Sequence, residues 1–353
     1  MMHDHGGVPH ALIDASVNLN PLGPPPSLDA VFGRVRELAS RYPEIDAVSA
    51  RNAWAARLAV PAERVLIGNG ASELISLVVR AAAPGRVVVF DPCYSEYASA
   101  ARSAGAALVH LPLQLEGGVW RTPLDDPIGG DVGRLGLGPG DMVVVGQPNN
   151  PTGHFTPAEQ LIGLSRSGAH VLVDESFLAL SEPPDGDRTS RSLVPHVAGR
   201  ISVVASLTKT YAVPGLRLGY LVADESLVGR ISDIRDPWSV NGIAAEAARV
   251  LAKERRYVEA GRTLIASERP RLASALQSLG LSVTSGEAPW ILAELPEPRR
   301  ATDLRAGLLA RGISIRDASS FPGLSDRWIR IGVRTASEND AVLAALRDER
   351  ERY

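Results

Sequence analysis

The chain has 353 residues, 45% of them hydrophobic, a formal net charge of −3 and one cysteine, Cys93. That length supports one large core or a large and a small one, and a single thiol excludes an internal disulfide framework. The charge balance leaves no nucleic-acid footprint, no apolar run reaches membrane-spanning length, and no signal peptide is read before His5, so a cytoplasmic protein is expected.

Residues 1–26 read as an irregular arm ending in Asn18-Leu19-Asn20-Pro21-Leu22-Gly23-Pro24-Pro25-Pro26. Ser27 is placed to N-cap a helix running to about residue 39, closed by Arg41-Tyr42-Pro43. A second helix, 48–58, leads to a strand at 65–67, the turn Gly68-Asn69-Gly70-Ala71-Ser72-Glu73 and a helix at 74–82. Strand, glycine turn and helix in that order leave free backbone N–H groups where a phosphate can sit. Short apolar runs follow at 87–90, 142–145, 170–173, 201–205 and 216–222, with helical stretches between them. The alternation predicts an α/β fold with a mostly parallel sheet flanked by helices, its ligand site built from loops at the carboxyl ends of the strands. Beyond Asp236-Pro237-Trp238 the pattern becomes a long broken helical region at 241–279, runs at 281–284 and 290–294, and a helix at 301–311. Runs at 313–316 and 328–333 and a closing helix from about 338 complete it. The organisation expected is an arm, 1–26, a large domain, 27–236, and a smaller α+β domain, 237–353.

The strand ends carry the chemistry. The run 87–90 leads to Tyr94, 142–145 to Asn150-Pro151-Thr152-Gly153, 170–173 to Asp174-Glu175-Ser176-Phe177, and 201–205 to Ser206-Leu207-Thr208-Lys209. Lysine occurs only twice, as Lys209 and Lys253, in a chain that otherwise takes its positive charge from arginine. Arginine cannot deprotonate in a protein and lysine can, so a lysine in a hydroxyl-rich turn after an apolar strand is a candidate covalent residue. Ser206, Thr208 and Arg217 beside it form a candidate anion cradle. A carboxylate at an apolar strand end, as at Asp174, needs a partner. Glu175, Cys93, His154 and Lys253 are read as structural or solvated.

This ordered set (glycine turn, Tyr94, Asn150, Asp174, Lys209, Arg217) resembles fold-type I pyridoxal-phosphate enzymes of the class I/II aminotransferase superfamily across essentially the whole chain. Within it the chain is similar to the histidinol-phosphate aminotransferase branch, and most of all to the L-threonine-O-3-phosphate decarboxylases of cobalamin biosynthesis. The narrower likeness rests on His5-Gly6-Gly7, the 18–23 motif, Arg41-Tyr42-Pro43, the 206–220 stretch, Pro237-Trp238-Ser239-Val240-Asn241 and Phe321-Pro322-Gly323-Leu324 through Arg334. The resemblance implies that Lys209 bonds the cofactor covalently and later moves protons, that Asp174 pairs with the ring nitrogen, that Asn150 holds the ring oxygen and that Tyr94 stacks on the ring. It implies a phosphate site of Gly70, Ala71, Ser72, Ser206 and Arg217, reached by Tyr42 of a neighbouring subunit in a homodimer. His5, Asn18, Arg316 and Arg330 match positions around the substrate, with Arg330 on its carboxylate and Arg316 and His5 on its phosphate. Val8 replaces an Asn of the related decarboxylases. Phe177 replaces the Tyr of aminotransferase relatives and fits the decarboxylase group. Pro289-Trp290 departs from an Asn-plus-aromatic pair, which rearranges one substrate contact. The activity implied is decarboxylation of L-threonine O-3-phosphate, with an aminotransferase acting on histidinol phosphate or a related phosphorylated or acidic amino substrate as the alternative. A third reading is a binding or regulatory protein that kept the fold without turnover.

Overall fold

The computed structural model describes Gly7 and residues 11–124, 136–181 and 191–351. His5 and Val8 lie outside the described residues.

A seven-stranded sheet organises the larger part of the chain. Its spatial order is Val65–Gly68, Gly219–Val222, Ile201–Ser206, His170–Asp174, Asp141–Gly146, Arg86–Asp91, Ala107–Pro112. Gly219–Val222 runs antiparallel to both neighbours and every other pairing is parallel. The strands are nearly continuous apolar runs because both faces are covered. Val88, Val143, Val171 and Val203 enter one core and Val87, Val144, Leu172 and Val204 the other, the two-residue alternation of a pleated strand. Burying one such side chain contributes roughly 1.5–3 kcal/mol. A charge at Val144, which has almost no exposure, would therefore remove that contribution and add a desolvation cost.

The chain passes from Arg86–Asp91 outward to Ala107–Pro112 and then back inward to Asp141–Gly146. That reversal opens a crevice beyond the carboxyl ends of Arg86–Asp91 and Asp141–Gly146, where ligands of open α/β sheets bind. Asn149 ties the crevice by donating from Nδ2 to the Pro92 carbonyl at 2.8 Å.

A four-stranded antiparallel sheet carries the C-terminal part, in the order Ser282–Val283, Trp290–Glu294, Trp328–Gly332, Arg316–Asp317. The long helix Arg255–Ser278 links the two cores: Val258 packs with the first and Ile265, Leu272 and Leu276 with that of the smaller sheet. The helix Gly242–Leu251, N-capped by Asn241 donating no charge but accepting from Ala244 N at 2.9 Å, packs against Val48–Leu58 in the larger core.

Local expectations needed correction at three places. Ser27 caps no helix: Pro25 and Pro26 start a short 3₁₀ turn without a side-chain cap, and the segment breaks into Asp29–Phe32 and Val35–Ala39. The run at 216–222 is strand only from Gly219, because Pro214–Leu216 is a 3₁₀ turn and Arg217 is left-handed at φ 54°. The run at 313–316 divides between two sheets. Ile313–Ser314 pairs in parallel with Ile13–Asp14 of the arm, while Arg316–Asp317 joins the small sheet.

Candidate active site

A cavity of about 470 Å³ lies between the crevice and the small sheet, with Asn18, Ser72, Tyr94, Asn150, Asp174, Ser206, Lys209, Arg217, Arg316 and Arg330 in its wall. The sequence-predicted groups from the sheet and from the small domain thus meet in one place. Tyr42 does not line it; its side chain is 85% exposed and packs on Trp238 with ring centroids 5.1 Å apart.

At one end the chain builds an anion cradle. Gly70, at φ 89°, precedes the twelve-residue helix Ala71–Ala82, so the N–H groups of Ala71 and Ser72 open on the cavity side of a helix N-terminus. A Cβ at Gly70 would stand 2.7 Å from an Arg217 guanidinium nitrogen, so only glycine lets that cation come so close. Ser206 and Thr208 add hydroxyls that bond each other at 2.6 Å. The Ser72 hydroxyl lies 3.2 Å from that of Tyr94.

In the middle stand Lys209 and Asp174. Burial, the charge of Arg330 and that of Arg217 lower the Lys209 ammonium to about 8 against the opposing pull of Asp174. Asp174 Oδ1 accepts from Ser176 N at 3.0 Å and Oδ2 from the Tyr97 hydroxyl at 2.9 Å. Burial raises the Asp174 carboxyl, and the donors from Ser176 and Tyr97 oppose that rise. The backbone carbonyl of Lys209 accepts from Asn20 N at 3.0 Å, and Asn20 Nδ2 donates to the Thr210 carbonyl at 3.0 Å, so the arm fastens the lysine turn.

At the far end, Arg316 and Arg330 are directly opposite each other on adjacent antiparallel strands, both about 5% exposed. Like charges in that relation are unfavourable without an anion. Burial and the neighbouring Arg316 make the Arg330 charge costly, but a guanidinium stays protonated in proteins. Arg330 donates to the Ser16 carbonyl at 2.9 Å and to Asn150 Oδ1. That bond occupies the oxygen of the Asn150 amide and leaves its NH₂ as the half able to donate. Arg316 donates to Ser320 Oγ at 2.8 Å. Asn18 Oδ1 is buried without a hydrogen-bond partner on the same wall.

Trp290, by contrast, lies behind the site. It donates from Nε1 to the Pro151 carbonyl at 2.7 Å and packs edge-on against Phe177 at 4.8 Å, holding the Asn150 loop. Glu175 is structural: it accepts from Leu193 N at 2.6 Å and from the Ser192 hydroxyl at 2.8 Å. Cys93 is buried and contributes to the cavity wall. Sequence reasoning missed Tyr97 and Asn20 as site residues, because each acts through a partner 77 or 190 residues away.

The family model described as aminotransferase class I and II matches residues 17–346. A threonine-phosphate decarboxylase of Salmonella typhimurium is 34% identical, the match covering 96% of this chain and 92% of that protein. A histidinol-phosphate aminotransferase of Symbiobacterium thermophilum is 32% identical, with 96% and 90% covered. The crystal structure of the histidinol-phosphate aminotransferase from Clostridium acetobutylicum superposes with a TM-score of 0.85 at 26% identity, covering 97% of this chain and all of that one. The cofactor is pyridoxal 5′-phosphate. The residues present fit it: a primary amine held near neutrality, a buried carboxylate, an amide donor, an aromatic ring, and a cradle whose glycine leaves room for a phosphate-binding cation.

Proposed function

This chain belongs to the class I and II aminotransferase family, and from that premise we propose that it decarboxylates L-threonine O-3-phosphate to (R)-1-amino-2-propanol O-2-phosphate and CO₂ in cobalamin biosynthesis. The observation that carries the reading is the opposed pair Arg316 and Arg330. Two fixed cations on one sheet face suit a substrate with two anionic groups, and threonine phosphate has both a carboxylate and a phosphate. Histidinol phosphate has only the phosphate. Phe177, which has no hydroxyl to offer the ring oxygen, and the 34% identity to a threonine-phosphate decarboxylase support the same choice.

When bound, pyridoxal phosphate supplies an electron sink for the pair left when a bond at the amine-bearing carbon breaks. Asp174 provides the negative partner for the ring nitrogen, and Asn150 donates to the ring oxygen. Tyr94 flanks the ring, and the Gly70 turn, Ala71, Ser72, Ser206 and Arg217 take the phosphate. Arg330 fixes the substrate carboxylate, Arg316 its phosphate, and Asn18 offers an acceptor between arm and cavity. Lys209 would hold the cofactor through its amine and, once that amine is free, would be placed to deliver a proton to the substrate. An amine lowered to about 8 can both accept and deliver that proton near neutral pH. How Arg330 and Arg316 orient the substrate would decide which of its bonds is broken, and a preference of about 1.4 kcal/mol between transition states changes the ratio tenfold.

A second reading, transamination of histidinol phosphate or a related amine, is favoured by the Symbiobacterium relative. We also infer a cytoplasmic homodimer in which Tyr42, exposed as Phe32 and Ile45 are, reaches the neighbouring phosphate site. A panel of threonine, serine and histidinol phosphates separates these readings. Threonine phosphate should release CO₂ while the cofactor remains an aldehyde, and light scattering should give the mass of two chains. Conversion of the cofactor to its amine form, with a 2-oxo acid needed to restore it, would sink the decarboxylase reading.

A further inference from the structure

The Tyr97 hydroxyl is not used by any step above, yet its surroundings are built for it. Tyr97 lies in the helix Ser95–Ser103, whose N-cap is Tyr94, and its ring meets that of Tyr94 edge-on at 5.6 Å. The hydroxyl donates to Asp174 Oδ2 at 2.9 Å. It stands beside Gly146, the register partner of Asp174 on the adjacent strand. A Cβ at Gly146 would lie 3.1 Å from the Tyr97 oxygen. Glycine at that place therefore leaves the slot the hydroxyl occupies.

We propose that Tyr97 is a positioning residue: it holds Asp174 ionised and aimed, and through Asp174 it keeps the cofactor's ring nitrogen protonated. The chemistry is a competition for one proton. Asp174 shares the ring-nitrogen proton, and a carboxylate that already accepts from Tyr97 and Ser176 N is a weaker base toward it. Remove the phenol and the carboxylate becomes more basic, so the proton moves toward oxygen and the ring loses part of its power to accept electrons. Burial and the Asp174 charge hold the phenol far above its usual range, so it remains a donor at any working pH. The groups facing Asp174 are Tyr97, Ser176 and Lys209, with Tyr94 and Cys93 beside the phenol. The helix that places the stacking ring also sets the basicity of the carboxylate beneath it.

The inference deepens the reading of Asp174 given above, and its test uses the resting holoenzyme loaded with ¹⁵N-labelled pyridoxal phosphate. In the wild type the ring-nitrogen resonance should lie at the pyridinium position. Tyr97→Phe keeps the ring, its contact with Tyr94 and its volume. It should move the resonance toward the neutral-pyridine position and lower kcat about tenfold, the loss expected for one charge-assisted hydrogen bond. Gly146→Ala, which keeps the phenol but crowds it, should move the resonance the same way by less, and serves if the phenylalanine variant does not fold. Because no substrate is present, the outcome does not depend on which reaction the enzyme catalyses. A shift in Asp174→Asn with none in either other variant overturns the role of Tyr97 alone. No shift in any of the three overturns the assignment of Asp174 to the ring nitrogen and this inference with it.

Discussion

Lys209, Asp174 and Asn150 stand at or just beyond the ends of strands that pair within one sheet, whereas Arg316 and Arg330 stand opposite each other on hairpin strands of another. In the cofactor half, a cation and an anion are both present, so the charges partly offset one another before any ligand arrives. In the half proposed for the substrate two buried cations face each other, Arg330 donating to the Ser16 carbonyl and the Asn150 amide and Arg316 to the Ser320 hydroxyl. The first half is a finished binding surface. The second concentrates positive charge on one face of a hairpin, which suits an anionic ligand.

The largest expected separation between the halves comes from Arg330→Met. Truncating one partner of a buried charge contact costs about 2–5 kcal/mol, so kcat/KM should fall by about 30-fold or more. The bound cofactor should be retained, with its visible absorbance shifted because Arg330 also holds Asn150 and its charge lowers Lys209; loss of the bound cofactor would show that the halves are not separable. A smaller effect concerns the empty cofactor half. Lys209 is lowered to about 8 in the folded chain and has an ordinary value of 10.5 when unfolded. Between those values the unfolded chain binds a proton that the folded chain does not. Stability of the apoprotein should therefore rise with pH from about 8 to 10.5, by at most about 3 kcal/mol. Thermal melting against pH checks this, and a Lys209→Met variant with the same rise would rule out the lysine as its source. Gly70→Ala should have the least effect. Strain at positive φ and the crowding of Arg217 should weaken cofactor binding about tenfold, a cost within the 1–3 kcal/mol of a strained backbone residue, with the KM for substrate unaltered.

What could be read from the sequence follows the same division. Asp174 and Lys209 were legible because each follows an apolar strand whose end must face a ligand crevice, and because a lysine is rare in this chain. Arg316 and Arg330 were matched individually, but their direct opposition depends on strand register, which no local pattern carries. Pro289-Trp290 was read only as a departure that rearranges one substrate contact; Trp290 is a buried prop for the Pro151 carbonyl, and nothing local reveals a partner 139 residues earlier. The split of the 313–316 run was hidden because Ile313 and Ile315 alternate as one strand would, and which strands Ile313–Ser314 and Arg316–Asp317 join depends on partners far away in the chain.

The arm adds a matter of timing. Ile13 pairs with Ile313, the Ser16 carbonyl accepts from Arg330, and Asn20 fastens the turn of Lys209. Residues of the arm thus await others made about 300 residues later. At 5–20 residues per second, the interval between Ser16 and Arg330 is roughly 15–60 s. During that time the larger sheet can form, but the arm has no strand to join. A nascent chain that has passed Lys209 but not Arg330 therefore has its lysine turn in place while the cavity lacks a wall. Emergence of the small sheet, not completion of the larger one, is what closes the site.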